Sequence, residues 1–249
     1  MNITVSIIIP FYKNFNLLKR ALQSIEKQSL KNYEVIIIHD NPENKLDYSF
    51  DQFSFKKKIK FIYNKKNLGA GFSRNRGINI SKGEYVAFLD SDDTWSKNKL
   101  LNQINFMKKN NYLASHTNYD EVTNNGRRII SRNAYNLNYK MLLKSCDIGL
   151  STVILKKIVF KKKIFFPNLK TKEDYVLWLN LAKSGIIFYG LNINLAKRFD
   201  TPNSLSKSTR QKLKDAFTVY FKYQKLNFMV ALIRTIILSI NFIFKKKWI

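Results

Sequence analysis

Three carboxylates end the segment Gly83-Glu84-Tyr85-Val86-Ala87-Phe88-Leu89-Asp90-Ser91-Asp92-Asp93, with Ser91 alone separating Asp90 from the other two. Like charges this close repel, and a cation or a dense set of donors is needed to make the arrangement favourable. Oxygen-only ligands suit a hard ion. Mg²⁺ or Mn²⁺ held by one or two carboxylates, with phosphate oxygens and water completing its shell, fits the set. The plainer alternative is a loop in which Asp93 caps the helix that follows.

Other stretches carry residues of comparable interest. Asn67-Leu68-Gly69-Ala70-Gly71-Phe72-Ser73-Arg74-Asn75-Arg76-Gly77 is a glycine-bearing loop entering a helix with two arginines. Glycine permits close backbone approach, and arginine suits phosphate or carboxylate. The loop lacks the third glycine of a dinucleotide fingerprint and is not a phosphate-cradling P-loop. A surface helix with arginines is the alternative. Glu173 and Asp174 open a later helix, where acids match the helix dipole. His39 and His116 have no Cys/His spacing that supports zinc, and each reads as a polar residue at a strand end.

These groups need elements to hold them. Tyr85 to Leu89 is a short apolar run, the mark of a strand buried on both faces of a mainly parallel sheet, and ligands of such sheets bind beyond the carboxyl ends of the strands. Val5 to Pro10 and Glu34 to Ile38 are further strands, joined by a helix over Leu17, Leu18, Ala21, Leu22 and Ile25 that Asn14 or Asn16 caps. A third strand falls near Ile59 to Tyr63. After the acids, Leu100, Leu101, Ile104 and Met107 give one apolar helix face. Strand-like pieces at Tyr112 to Asn118, Arg128 to Ser131, Leu150 to Leu155, Ile186 to Tyr189 and Leu195 to Phe199 follow, with helices at Tyr139 to Lys144 and from Glu173 to Gly185.

The chain of 249 residues carries 44 basic and 17 acidic residues, a formal net charge of +27. From Lys156 onward there are 20 basic and 4 acidic residues. That balance favours a polyanion: nucleic acid, an anionic membrane surface or phosphorylated substrates. A solvated surface in a lysine-, asparagine- and isoleucine-rich sequence is the bland alternative. Cys146 is the single cysteine, so no intramolecular disulfide forms and a reducing compartment is expected. The apolar run at the start is too short for a signal peptide or a span, which gives the expectation of a cytoplasmic protein.

In order, Val5-Ser6-Ile7-Ile8-Ile9-Pro10-Phe11-Tyr12-Lys13, Glu34-Val35-Ile36-Ile37-Ile38-His39-Asp40, Asn67 to Gly77, Gly83 to Asp93 and Lys172-Glu173-Asp174-Tyr175-Val176-Leu177-Trp178-Leu179 resemble the motifs of the family 2 glycosyltransferases. These are inverting enzymes of the GT-A fold, a Rossmann-like α/β architecture with a mixed, mainly parallel sheet flanked by helices. The resemblance implies that Pro10, Phe11 and Tyr12 lie along the nucleotide base and that Asp40 hydrogen-bonds uracil. Relatives often carry two acids, glycine and serine where this chain has His39, Asp40, Asn41 and Pro42. It further implies that Asn67, Arg74 and Asn75 close on base and diphosphate, and that Asp90, Ser91 and Asp92 form the donor and metal motif with Asp92 and Asp90 on Mn²⁺ or Mg²⁺. Asp174 matches the catalytic base. Arg198, Ser204 and Ser206 resemble a late loop that covers the diphosphate.

The expected GT-A domain runs over residues 1–207, followed by a basic, apolar helical tail at 208–249. No acid follows Asp215, and Leu226 to Phe244 is apolar before Lys245-Lys246-Lys247-Trp248. Asn227, Arg234 and Asn241 fall seven apart on one helix face, with Thr235 and Ser239 nearby. Such a helix is expected to lie at an anionic leaflet, ahead of a helix packed on protein and of a spanning helix with Arg234 at mid-bilayer. The expected activity is transfer of one sugar from a nucleotide donor, a UDP-hexose or UDP-N-acetylhexosamine, to a glycan or glycolipid acceptor of the bacterial surface, such as lipooligosaccharide or capsule. The expected location is the inner face of the cytoplasmic membrane. A nucleic-acid-binding protein is the competing class, but it has no recognisable motif here and leaves the three acids unexplained. A catalytically inactive sugar-nucleotide-binding relative is the third.

Overall fold

The computed structural model describes residues 3–43, 49–123, 127–200 and 209–247, with side chains as far as residue 241. β1 (Val5–Phe11) and β2 (Tyr33–His39) are the β-branched runs, buried along nearly their whole length and paired in parallel. α1 (Phe15–Glu26) connects them. Asn14 opens it from left-handed backbone at φ 68°, its side chain accepting the Leu17 N–H at 3.4 Å. β3 (Ile59–Tyr63) extends the sheet beside β2, and α2 (Ala70–Ile80) then carries the chain back so that β4 (Tyr85–Phe88) pairs with the far side of β1. The order β3-β2-β1-β4 places a topological switch between β1 and β4, and the crevice beyond their carboxyl ends is where such sheets take ligands.

The chain continues through β5 (Thr94–Trp95), α3 (Lys99–Lys109), β6 (Ala114–Val122), β7 (Arg128–Arg132), α4 (Tyr139–Leu142), β8 (Ile154–Lys156), α5 (Glu173–Lys183) and β9 (Phe188–Phe199). This half of the sheet is mixed. β8 runs antiparallel to β4 and β6, β9 parallel to β6, and β5 antiparallel to β9. Alternate side chains of β1 serve opposite layers. Ile7 and Ile9 pack with Leu18 and Leu22 of α1 and Leu100 and Met107 of α3, while Ile8 packs with Ile78 of α2 and Trp178 of α5. Each such fully buried side chain contributes about 1.5–3 kcal/mol.

Three details differ from expectation. Leu101 is exposed, so the core stripe of α3 is Leu100, Ile104 and Met107. The run at Leu150 to Leu155 is a 3₁₀ turn at Leu150–Thr152 followed by β8, because the Thr152 hydroxyl turns back to the Gly149 carbonyl at 2.6 Å. The two late strands are one, β9, with irregular register opposite Asn118.

The basic end of the chain forms α6 (Thr209–Thr218), a π-helical turn at Val219–Tyr223 and α7 (Phe228–Lys247). These pack on α5 and join its core: Ala216, Val219, Tyr220, Ala231 and Leu238 are all buried there. Polar contacts fix the layer. Asp215 Oδ2 accepts from the Thr171 N–H at 3.0 Å and hydroxyl at 2.7 Å, the Tyr220 and Tyr175 hydroxyls meet at 2.9 Å, and Gln224 Nε2 donates to Asn180 Oδ1 at 2.9 Å. Among the described residues no helix is long and apolar enough to cross a membrane. The side chains of Lys245 to Lys247, and Trp248, lie outside the described residues.

Candidate active site

β4 delivers the acids to the switch-point crevice, and the structure divides them. Asp93 turns inward. Its Oδ2 accepts from the Ser151 hydroxyl at 2.6 Å and its Oδ1 from the Phe199 N–H at 3.1 Å. Burial, then Asp92 and Asp90, push its pKa well above the usual carboxylate range, against the Ser151 hydrogen bond and the charge of Arg198. Asp93 is therefore not a helix cap; α3 begins at Lys99 after Asn98. The Ser151 oxygen also accepts the Asp90 N–H at 3.1 Å, so one hydroxyl ties both ends of the acidic turn.

Asp90 and Asp92 remain partly exposed. The Asp92 carbonyl accepts from Arg20 Nη2 at 2.6 Å, and the Arg20 guanidinium lies 3.4 Å over the Phe199 ring. Asp90 Oδ1 pairs with Arg74 Nη2 at 2.7 Å, and Arg74 Nη1 pairs with Glu173 Oε1 at 2.7 Å. Arg74 is only 4% exposed, so a single buried guanidinium joins the end of β4 to the start of α5. Gly71 permits this approach, since a Cβ there would stand 3.1 Å from both Glu173 Cγ and the Pro167 carbonyl.

Glu173 and Asp174 share that helix start. Burial raises the Glu173 pKa to about 7, Arg74 opposing and Asp174 reinforcing the shift. Burial also raises Asp174, against Arg74 and the Tyr175 N–H that its Oδ1 accepts at 2.7 Å. An upward-shifted carboxylate is the form a general base for a hydroxyl requires near neutral pH.

On the other side of the crevice, Asp40 anchors the glycine loop. Its two oxygens accept from the Leu68 N–H at 2.8 Å, the Gly69 N–H at 2.7 Å and Asn64 Nδ2 at 2.6 Å. Gly69 meets this carboxylate at φ 81°, a backbone region that glycine reaches without strain. Asn64 was not singled out in the sequence, yet it also donates to Ser73 and accepts from Arg76.

The remaining expected residues divide as well. Pro10 is partly exposed and the Tyr12 ring is open, with Lys13 over it, while the Phe11 ring is turned into the core against His39 at 5.0 Å. The Phe11 carbonyl in turn accepts the Asp40 N–H at 2.7 Å, so this buried residue ties the end of β1 to Asp40. Asn67 is exposed and accepts the Gly69 N–H at 3.1 Å. Asn75 binds the backbone of Phe166 through both ends of its amide, at 2.8 and 3.0 Å, and so holds that segment under α5. Ser91 is partly exposed beside Asp90, and Arg198 is half-exposed, 3.7 Å from Glu121. Ser204 and Ser206 lie outside the described residues.

His39 sits in an aromatic cluster with Phe11, Phe61 and Tyr63, and His116 Nε2 meets the Tyr135 carbonyl at 2.8 Å; neither faces the acids. A cleft of about 880 Å³ lined by Ile3, Lys82, Lys156 and Phe165 opens at the amino ends of β1 and β4, away from this chemistry.

The donor set fits a hard divalent ion. Among the described residues no three His, Cys, Asp or Glu side chains converge on one point, and Asp93 is committed to Ser151 and Phe199. Asp90 and Asp92 are the pair suited to hold such an ion, which needs only one or two carboxylates when phosphate oxygens fill its other positions.

Comparison with known proteins agrees with the fold. Residues 6–166 match the family described as Glycosyl transferase family 2. The Bacillus subtilis protein named putative teichuronic acid biosynthesis glycosyltransferase TuaG is 32% identical, the match covering 91% of either chain. The Escherichia coli protein WfgD, named a UDP-Glc:alpha-D-GlcNAc-diphosphoundecaprenol beta-1,3-glucosyltransferase, is 35% identical over 74% of this chain and 71% of its own. Uncharacterized Rickettsia glycosyltransferases also match, and the chain spans 35% to 42% of their length. Among solved structures, Staphylococcus aureus TarS residues 1–349 superpose with a TM-score of 0.70 at 19% identity, covering 94% of this chain and 70% of that one. The shared architecture is the GT-A fold.

Proposed function

The chain belongs to glycosyl transferase family 2, and from that premise we propose that it is an inverting, metal-dependent hexosyltransferase that builds a bacterial surface glycan. It takes one sugar from a UDP-linked donor, a UDP-hexose or UDP-N-acetylhexosamine, and adds it to a hydroxyl of a glycan or glycolipid acceptor. The observation that carries this reading is the Arg74 bridge from Asp90 to Glu173. It sets a donor-side acid and an acceptor-side acid on one guanidinium, as a displacement between two substrates requires. The names of the B. subtilis and E. coli relatives support a surface polymer, a UDP donor and a lipid-linked acceptor.

The roles follow from charge. Pro10 and Tyr12 flank the base, and Asp40, Asn67 and the Gly69 loop define the nucleotide end of the crevice. Arg74 and Arg198 supply positive charge beside the diphosphate. Asp90 and Asp92 are the residues that would hold Mn²⁺ or Mg²⁺, which when bound would supply Lewis-acid stabilisation of a leaving diphosphate. Asp174 accepts the proton of the acceptor hydroxyl while that oxygen bonds to the anomeric carbon from the face opposite the departing nucleotide. One displacement inverts the anomeric configuration. The enzyme works in the cytoplasm, peripherally on the inner face of the membrane.

The test is nucleoside diphosphate release from a panel of nucleotide sugars, with Mn²⁺ or with chelator, comparing wild type and Asp92→Ala. Metal-dependent release from one donor, absent in the variant, is expected. No release and no binding of any donor would overturn the reading and return attention to the +27 charge and a nucleic-acid partner.

A further inference from the structure

α7 is built inside out for a surface helix. Ala231, Thr235 and Leu238 are buried against the body, and the Thr235 hydroxyl is satisfied within the helix by the Ala231 carbonyl at 2.8 Å. Asn241 donates to the Lys144 carbonyl at 2.8 Å, and Arg234 and Ser239 are partly buried. The polar stripe of Arg234, Ser239 and Asn241 thus borders the packed side. The outward face is Phe228, Met229, Leu232, Ile233, Ile236 and Ile240, all exposed, with Phe228 at 57% and Met229 at 62%. A continuous apolar face of this kind marks a contact surface.

We propose that this face inserts at the headgroup–acyl boundary of an anionic leaflet and carries the acceptor end of the crevice to the membrane. Charge selects the occupant. Lys222, Lys225, Arg234 and Lys245 to Lys247 follow Asp215 with no acid among them. A second copy of this chain would bring the same positive charge to the contact. An anionic bilayer supplies both an apolar layer and the countercharge. The layer is also fixed to the site: Asp215 holds Thr171, two residues before Glu173, and Tyr220 holds Tyr175, next to Asp174. Insertion rests on the exposed face and its charge; its bearing on the acceptor rests on the transferase reading.

Flotation of the full chain with phosphatidylcholine vesicles, with and without phosphatidylglycerol, tests the proposal beside nucleoside diphosphate release in vesicle-free buffer. Wild type should float with the anionic vesicles only, and less as salt rises. Ile233→Glu/Ile236→Glu should lower partitioning at least about tenfold with release unchanged. Should that variant lose release as well, Met229→Glu takes its place with the same expectation. Equal flotation of variant and wild type, no flotation of wild type, or a wild-type dimer that the variant makes monomeric would each overturn the insertion. Normal flotation without release from any donor would instead sink the transferase reading alone.

Discussion

Arg74 and Glu173, ninety-nine residues apart in sequence, meet at 2.7 Å, and the same guanidinium meets Asp90 at 2.7 Å. The pair couples the halves of the crevice through one side chain. Removing Arg74 would leave two acids facing each other without their cation, a loss of about 3–5 kcal/mol for a buried pair. Arg74→Met should therefore lower stability by several times the cost of an exposed substitution and misplace the start of α5, which thermal unfolding and donor turnover would report together. An Arg74→Met protein as stable as wild type would show that the bridge is incidental.

Glu173 makes that coupling dependent on pH. Burial raises its pKa in the fold to about 7 from the ordinary glutamate value of 4.5, so the folded protein holds a proton that the unfolded chain releases. Stability from this group is complete below pH 4.5 and is lost as pH rises to about 7. The loss amounts to about 3 kcal/mol. Glu173→Gln should lack this loss, so the stability of wild type relative to the variant should fall between pH 5 and pH 7 in urea titrations. A constant difference across that window would refute the upward shift.

Asp174 is assigned the proton transfer, which predicts a separation of effects. Asp174→Asn keeps the shape of the helix start and should bind donor as wild type does, while transfer to acceptor falls by about 10²- to 10⁴-fold. Donor affinity by calorimetry and product formation by chromatography distinguish binding from chemistry. Retained transfer would move the base to Glu173.

Much of this was legible in the residues. β1, β2 and β4 are strands buried on both faces, so each is an apolar run with few other readings. Asp90 and Asp92 stand out because clustered charge at a strand end needs a reason. Arg20 and Ser151 did not stand out, because their partners lie far along the chain: Arg20 meets the Asp92 carbonyl 72 residues on, and Ser151 meets Asp93 58 residues back. A backbone carbonyl carries no residue type that a pattern could match. Asp93 resembled a cap for the same reason, since burial is settled by β9 and the 3₁₀ turn, not by its neighbours in sequence. The tail's polar residues showed the helix and its period but not which side the body would cover.

Ser151 gives the sharpest test of how the acidic turn is held. Its hydroxyl donates to Asp93 Oδ2 at 2.6 Å and accepts the Asp90 N–H at 3.1 Å, and its carbonyl accepts the Trp95 indole N–H at 2.6 Å. Ser151→Ala removes the first two and leaves a buried carboxylate one donor short, at a cost of about 1–3 kcal/mol. The carbonyl contact to Trp95 survives, so the turn should stay folded while the Asp90 backbone loosens. The expected result is a modest fall in melting temperature together with a rise in the metal concentration needed for half-maximal donor turnover. Ser151→Thr, which keeps the hydroxyl, should restore the metal requirement. A melting shift without any change in metal dependence would make Ser151 a packing residue and separate Asp93 from the chemistry of Asp90 and Asp92.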